Sequence, residues 1–255
     1  MDYVSISRMK TYLACPRKFK LWYVDKLPKL FKPAGLALGN VVHSTAEWLN
    51  HRLCEGQKPG LDEFLKIFRS DWFSLSQEEI RFDGKESENE TLAKAVELLK
   101  LLHERQTNGT QICEVEMPFQ LSLVDRETGE ILPIPLRGVF DWVEGEDVLI
   151  EMKTSARVHD TECSDNRLQL AAYDYAYREM FGRSPRIKVL NLLKTKEPKL
   201  LEKEILLDER DYQNLVGTTK LFLAGVQNRI FHPNKSFMCK NCEYAGVCEA
   251  SSNAK

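Results

Sequence analysis

In the stretch VLIEMKTS, residues 148–155, Glu151 and Lys153 stand two apart inside an otherwise apolar run. Side chains of a strand alternate between faces. Glu151 and Lys153 therefore point the same way as Leu149, while Val148, Ile150 and Met152 form the opposite, core-facing row. One strand upstream, GVFDWVE places Asp141 in a similar apolar setting. The intervening EGED reads as a tight turn, which makes the two strands antiparallel neighbours and brings Asp141 toward Glu151 across the ladder. Two carboxylates held close in a low-dielectric site repel strongly unless a cation lies between them. A hard divalent ion with oxygen ligands at ~2.0–2.2 Å is the natural occupant. The plainer alternative is a Glu151–Lys153 ion pair on a solvated edge.

A second constellation lies near the C-terminus, where CKNCEYAGVC carries Cys239, Cys242 and Cys248 in a C-x2-C-x5-C run. Such a run points to a metal site, and Cys15, in YLACPRKF, is the best candidate for a fourth ligand. The opening MDYVSISRMK lacks the apolar core of a secretory signal, and no apolar run approaches the ~18–20 residues of a membrane span. An intracellular, cytoplasmic protein with no membrane partner is the expectation, and a disulfide framework is not. Four thiolates suit zinc or an iron–sulfur cluster, and spacing does not separate the two. Joining Cys15 to Cys239 closes a very long loop at an entropic cost of ~5 kcal/mol. A thiolate-bound metal centre, worth ~10 kcal/mol or more, would offset it. Cys54, Cys113 and Cys163 have no partner at ligand spacing and read as ordinary small residues.

The elements that must position these groups follow from pattern. Ser5 or Ser7 caps a short helix with Ile6, Met9 and Leu13 on one face, and Pro16 fits the first position of a second. Residues 36–53, 61–75 and 91–106 have helical period, with a polar, acidic link at 77–90. Residues 54–108 read as a helical insertion within a single domain spanning 1–255. From 112 the pattern changes to strands: 112–124, a second at PIPLRGVFDWVE, a third at VLIEMKT. A helix over 165–182, a strand over 186–194 and a helix over 208–230 complete an α/β chain with a mixed central sheet flanked by helices.

The formal net charge of -2 gives no whole-chain argument for nucleic acid. Residues 1–32, however, carry eight Lys or Arg against Asp2 and Asp25, interleaved with Tyr12, Phe19, Trp22 and Tyr23. Such a mixture suits a phosphate backbone, with Arg8, Arg17, Lys18 and Tyr12 as candidate DNA contacts. A solvated amphipathic face fits this segment equally well. No Walker A sequence is present, so any motor function would need a partner.

Asp141, nine residues and then Glu151-Met152-Lys153 resembles the PD-(D/E)xK nuclease signature, with Phe140 where the eponymous proline would stand. Gln169 and Tyr173, four apart in QLAAYDYAY, match the Q-x-x-x-Y element of the RecB-like branch, and His43 in LGNVVH matches its helical histidine. The C-P-R context of Cys15 and the three later cysteines resemble the iron–sulfur staple of that branch. The resemblance implies a restriction-endonuclease-like core. In it Asp141, Glu151, His43 and the Met152 carbonyl hold Mg²⁺ or Mn²⁺, Lys153 orients water or steadies the transition state, and Gln169 and Tyr173 position Lys153 or the strand. Glu116, with Glu114 nearby, lies where it would meet a second metal. The resemblance further implies a [4Fe–4S] cluster on Cys15, Cys239, Cys242 and Cys248, making 231–255 with Cys15 the cluster-binding region. The implied activity is a DNA exonuclease acting on single strands or free ends and leaving 5′-phosphate and 3′-hydroxyl products. The setting would be repair or recombination beside a helicase, or DNA processing beside a CRISPR integrase. A nucleic-acid-binding scaffold with a vestigial site is the alternative.

Overall fold

A computed structural model describes residues 1–82, 87–155 and 164–252. Cys163 and residues 83–86 of the acidic link lie outside the described residues. Helix α1 (Ile6–Ala14) starts at Ser5, whose side chain accepts the Arg8 N–H. Its buried residues are Ile6, Met9 and Tyr12, whereas Leu13, expected on that face, is exposed. Pro16 opens α2 (Pro16–Phe19), where its missing N–H costs nothing, and a π-turn follows at Lys20–Val24. Two-residue strands β1 (Lys32–Pro33) and β2 (Ile80–Arg81) pair in parallel. Between and after them come α3 (Ala34–Cys54), α4 (Leu61–Leu75) and α5 (Glu88–Thr107).

The remaining elements are β3 (Ile112–Leu121), β4 (Leu136–Glu144), β5 (Val148–Ser155), α6 (Ser164–Phe181), β6 (Arg186–Leu193), β7 (Lys199–Ile205), α7 (Glu209–Gln227) and α8 (Ala245–Ser252). Strand order in the main sheet is β3-β4-β5-β6-β7, with β5–β6 parallel and its other neighbours antiparallel. The mixed sheet flanked by helices is thus present. The expected elements gain β7, whose Lys199, Glu202, Lys203 and Glu204 are exposed. Charges on an outer strand discourage further pairing along its free edge.

Both faces of the sheet are covered. On one, Phe119, Phe140, Val143, Leu149, Ile187 and Val189 pack under α1, α6 and α7. On the other, Trp142, Ile150, Met152, Leu190 and Leu192 pack under α3, α4 and α5, so residues 54–108 contribute two helices to this layer. Fully burying an aliphatic or aromatic side chain contributes ~1.5–3 kcal/mol, which makes the two cores the main source of stability. The face that Glu151 and Lys153 share with Leu149 is therefore roofed by α6 as well as the row opposite it being buried. A charge pair placed there is inside the protein.

A seam joins the two ends of the chain across α7. The Tyr12 hydroxyl donates to the Ile230 carbonyl at 2.9 Å, and the Arg17 N–H donates to the His232 carbonyl at 3.1 Å. Tyr244 closes the seam from the other side, donating to the Leu27 carbonyl at 2.9 Å. Tyr12 lies so close to α7 that a Cβ on Gly225 would overlap its hydroxyl, whereas one on Gly217 meets nothing. Gly225→Ala is therefore expected to destabilise by about 1–3 kcal/mol, as overpacking does. Gly217→Ala should be neutral or slightly stabilising, since alanine is the better helix former. Paired urea titrations of the two variants check this.

Candidate active site

The site begins where two strands part. Strand β4 pairs with β5 through Glu144↔Val148, Val143↔Leu149 and Trp142↔Ile150, and the ladder stops there. Asp141 stands one step beyond the last rung, and its Oδ2 accepts the Met152 N–H at 2.8 Å. A side-chain carboxylate thus takes a strand donor just past the last backbone pair. Alternation also breaks at this point. Phe140 packs on the α6 side against Tyr173, while Trp142, two residues on, lies in the opposite core.

The neighbouring strand breaks in register with it. Val115↔Trp142 and Met117↔Phe140 flank Glu116, which adopts φ 50°, and Val115 and Met117 pack against opposite cores. A left-handed backbone costs a non-glycine residue ~1–2 kcal/mol and persists where its surroundings impose it. Its consequence is a row of carboxylates, Glu116, Asp141 and Glu151, across three adjacent strands.

Glu151 is 2 % exposed. Its Oε1 ion-pairs with Lys153 and accepts the Gln169 Nε2–H at 2.8 Å. Its Oε2 is buried without a hydrogen-bond partner. The Gln169 Oε1 accepts from Lys153 Nζ at 3.1 Å and from Lys10 Nζ at 3.0 Å. Gln169 also donates to the Tyr173 hydroxyl at 3.3 Å, and that hydroxyl donates to the Val139 carbonyl at 2.7 Å. Positions 169 and 173 share one face of α6, and that face meets the Glu151–Lys153 face of β5. From α3, His43 Nδ1 stands 3.9 Å from Asp141 Oδ2.

The titrations follow from this crowding. Burial, then the Glu151 charge, raise Asp141 well above the usual carboxylate range, against the Met152 N–H and Lys153. Burial, with Glu47 and Glu151 nearby, raises Glu116 to about 6. Desolvation opposes the charge on Lys153, but the charge and hydrogen bond of Glu151, with Asp141, outweigh it and leave the ammonium favoured. Desolvation lowers His43 despite Glu151, which favours the neutral imidazole a metal ligand must be. Tyr173 is raised far up, first by burial and then by the two carboxylates, so it stays a phenol.

A partnerless buried carboxylate oxygen beside a second repelling carboxylate has the donor chemistry of a hard-cation site. Among the described residues, no three His, Cys, Asp or Glu groups stand close enough to hold one metal ion. Asp141 is turned onto the Met152 N–H, and Glu151 onto Lys153 and Gln169. The Met152 side chain belongs to the α3-side core.

The other sequence candidates separate. Cys15, Cys239, Cys242 and Cys248 line one cavity of ≈ 410 Å³, with Arg17 and Lys18 on its wall. Backbone N–H groups of Asn234 and Ser236 donate to Cys15 Sγ and Cys239 Sγ, each at 3.4 Å. Tyr12 is corrected from a candidate DNA contact to a core residue, buried against Phe19 and Phe222. Lys18 is committed to Glu243 at 2.6 Å. Two further side chains reach the site. Lys10 comes to Gln169 from the basic N-terminal segment, where the sequence offers no signal, and Glu47, one helical turn after His43, lies near Glu116.

A sequence model of the PD-(D/E)XK nuclease superfamily matches residues 3–249. The chain belongs to that superfamily. Its members act on nucleic acid, so this PD-(D/E)XK chain is a nuclease-family protein whose α/β core is consistent with the restriction-endonuclease-like arrangement. Among solved structures, a "putative exonuclease" from Eubacterium rectale superposes with a TM-score of 0.57 at 13% identity, covering 95% of this chain and 88% of that one. The structure named SSO0001 gives a TM-score of 0.46 at 13% identity, covering 97% and 86%. No curated protein matches the sequence. Among the described residues, no helix is long and apolar enough to cross a membrane.

The strained position gives a direct test. Glu116→Gly relieves the left-handed backbone and removes a carboxylate from a repelling row, so it should raise stability by about 1 kcal/mol in metal-free buffer. A denaturant midpoint at or below that of the parent chain would contradict this account of Glu116.

Proposed function

We propose that this protein is a Mg²⁺- or Mn²⁺-dependent deoxyribonuclease, an exonuclease acting on single strands or free ends. Its products would carry a 5′-phosphate and a 3′-hydroxyl. The observation that carries the reading is the buried, partnerless Glu151 Oε2 beside Asp141, with a lysine held next to it. The name of the Eubacterium rectale neighbour supports the exonuclease part of it.

Asp141, Glu151, His43 and the Met152 carbonyl would hold the ion, with Glu116 toward a second one. A bound divalent cation supplies a low-pKa water and neutralises charge developing on the phosphate. The rest falls to the protein's own side chains. Lys153 presents a permanent ammonium to the phosphate or to the attacking water, since Glu151 keeps it protonated. Gln169 fixes Lys153 from one side while Tyr173, anchored on the Val139 carbonyl, fixes Gln169. Lys10 adds a second cation on the same amide oxygen. A binding scaffold has no use for such a relay, so hydrolysis is favoured over the vestigial-site reading.

The same reading gives Cys15, Cys239, Cys242 and Cys248 a [4Fe–4S] cluster, with zinc as the alternative. What supports it is their common cavity and the N–H donors on two of the sulfurs. Such a centre would add a structural tie to the seam between the chain's ends.

Two experiments test this. With end-labelled single-stranded DNA and Mn²⁺, Lys153→Ala should lose about 10²–10³-fold in turnover, and Asp141→Ala should fall to background. Full activity in Asp141→Ala would end the assignment. Anaerobically purified protein should show the broad visible absorbance of a thiolate-bound iron cluster, lost in Cys239→Ser together with several degrees of melting temperature. Colourless protein holding zinc would replace the cluster and leave the nuclease reading standing.

A further inference from the structure

A cavity of ≈ 850 Å³ opens between α1, α2, the π-turn and the end of α7. Arg8, Arg17, Lys20, Lys26 and Arg229 line it, against a single carboxylate, Asp2. For a chain of net charge -2, this is a concentrated positive field. Lys20 is neutralised by Asp25 at 2.5 Å. Among the described residues, Arg8, Arg17, Lys26 and Arg229 make no ion pair, although carboxylates outnumber cations over the chain as a whole.

The Arg8 side chain is held, and the backbone places the other cations at the cavity. The Arg8 guanidinium lies 3.8 Å from the Tyr3 ring centroid and 5.3 Å from that of Tyr23. Its Nη1 donates to the Tyr3 carbonyl, and its Nε is buried without a partner. Lys26 and Arg229 both take left-handed backbone, with φ 54° and 55°, at turns that bring them to the cavity. Arg17 is fixed through its backbone by the His232 carbonyl. Phe19 and Phe231, stacked at 6.4 Å, give the cavity an apolar wall that focuses the field.

Placement decides what the cavity serves. Helix α1 carries Arg8 on its cavity side and, two residues on, Lys10, which reaches Gln169 of the active site. The two sites therefore share one helix as a common wall. Like charges gathered without counter-ions in a concave site suit a polyanion, and rigid guanidinium groups suit phosphates.

We infer that this cavity is a second nucleic-acid contact, taking the sugar–phosphate backbone of a single strand outside the bond that is cut. The inference rests on the nuclease reading above, and its test separates the two. A labelled single-stranded oligonucleotide is titrated in EDTA, with fluorescence anisotropy followed across salt concentrations. The double variant Arg17→Ala/Arg229→Ala should bind roughly tenfold or more weakly near ~0.1 M salt, with a log–log salt slope flatter by about 1.4, at ~0.7 per lost contact. Charge reversal in Lys26→Glu/Arg229→Glu should weaken binding further, with unchanged circular dichroism. Binding by both variants at parental affinity and slope overturns the inference, as does a parent protein that binds no single strand. Displacement by inorganic tripolyphosphate as effective as by unlabelled strand would make it a small-phosphate site and overturn the strand. A parent that binds through Arg17 and Arg229 but cuts nothing removes the nuclease activity and leaves the cavity. A parent that cuts, with variants that bind unchanged, does the reverse.

Discussion

The structure turns on one buried carboxylate. Glu151 lies between two hydrophobic cores, on the middle strand of the sheet, where an ionised group without compensation would cost more than most single side chains contribute to folding. Much of the surrounding architecture is arranged to accommodate it. Strand β4 lets go of β5 one rung before Glu151, Asp141 fills the gap on the backbone of Met152, and Glu116 accepts an unfavourable φ on the strand beyond. The lysine two residues on supplies the charge, and α6 supplies the amide that holds both. Removing the lysine or the amide would leave Glu151 in a buried, partly satisfied polar cluster, which is worse than none.

The arrangement is also incomplete in a specific direction. Gln169 uses both ends of its amide, taking two ammonium groups on its oxygen and giving its hydrogens to a carboxylate and a phenol. Glu151 keeps one oxygen without a partner, while burial and then the Glu151 charge push Asp141 toward its neutral form. Proton and metal cation compete for such a pair. A buried carboxylate pair of this kind costs stability relative to an apolar strand, and added positive charge would offset that cost.

The sequence was legible wherever a pattern is local. The tight turn EGED makes Asp141 and Glu151 neighbours by itself, and α4 occupies the same residues, 61–75, that its period predicts. Alternation placed Glu151 with Lys153 and Leu149 correctly, yet could not say that both faces of β5 are covered, because that depends on helices far away in the chain. Glu116 was undecidable for a sharper reason: its left-handed φ reverses the facing of the residues on either side, so no alternation rule applies through it. Lys10 meets Gln169 across 159 residues, a distance at which a single sequence holds no signal. Strand β7 was hidden because KLLEKEI is mostly charged, as an outer strand tolerates. On α1, Tyr12 and Leu13 are adjacent, and nine residues of helix are too few to choose which of them turns inward.

The seam at the chain's two ends also sets an order of assembly. Helix α1 has its packing partner in α7, and the Arg17 N–H waits for a carbonyl 215 positions later, at His232. During synthesis at ~5–20 residues per second, that interval lasts roughly 10–40 s. Helices α1 and α2 therefore complete their packing only after the much later α7 has been made. Until α7 emerges, the Tyr12 and Phe19 rings have no ring of Phe222 to close against. A truncation before residue 209 leaves the aromatic faces of α1 and α2 uncovered.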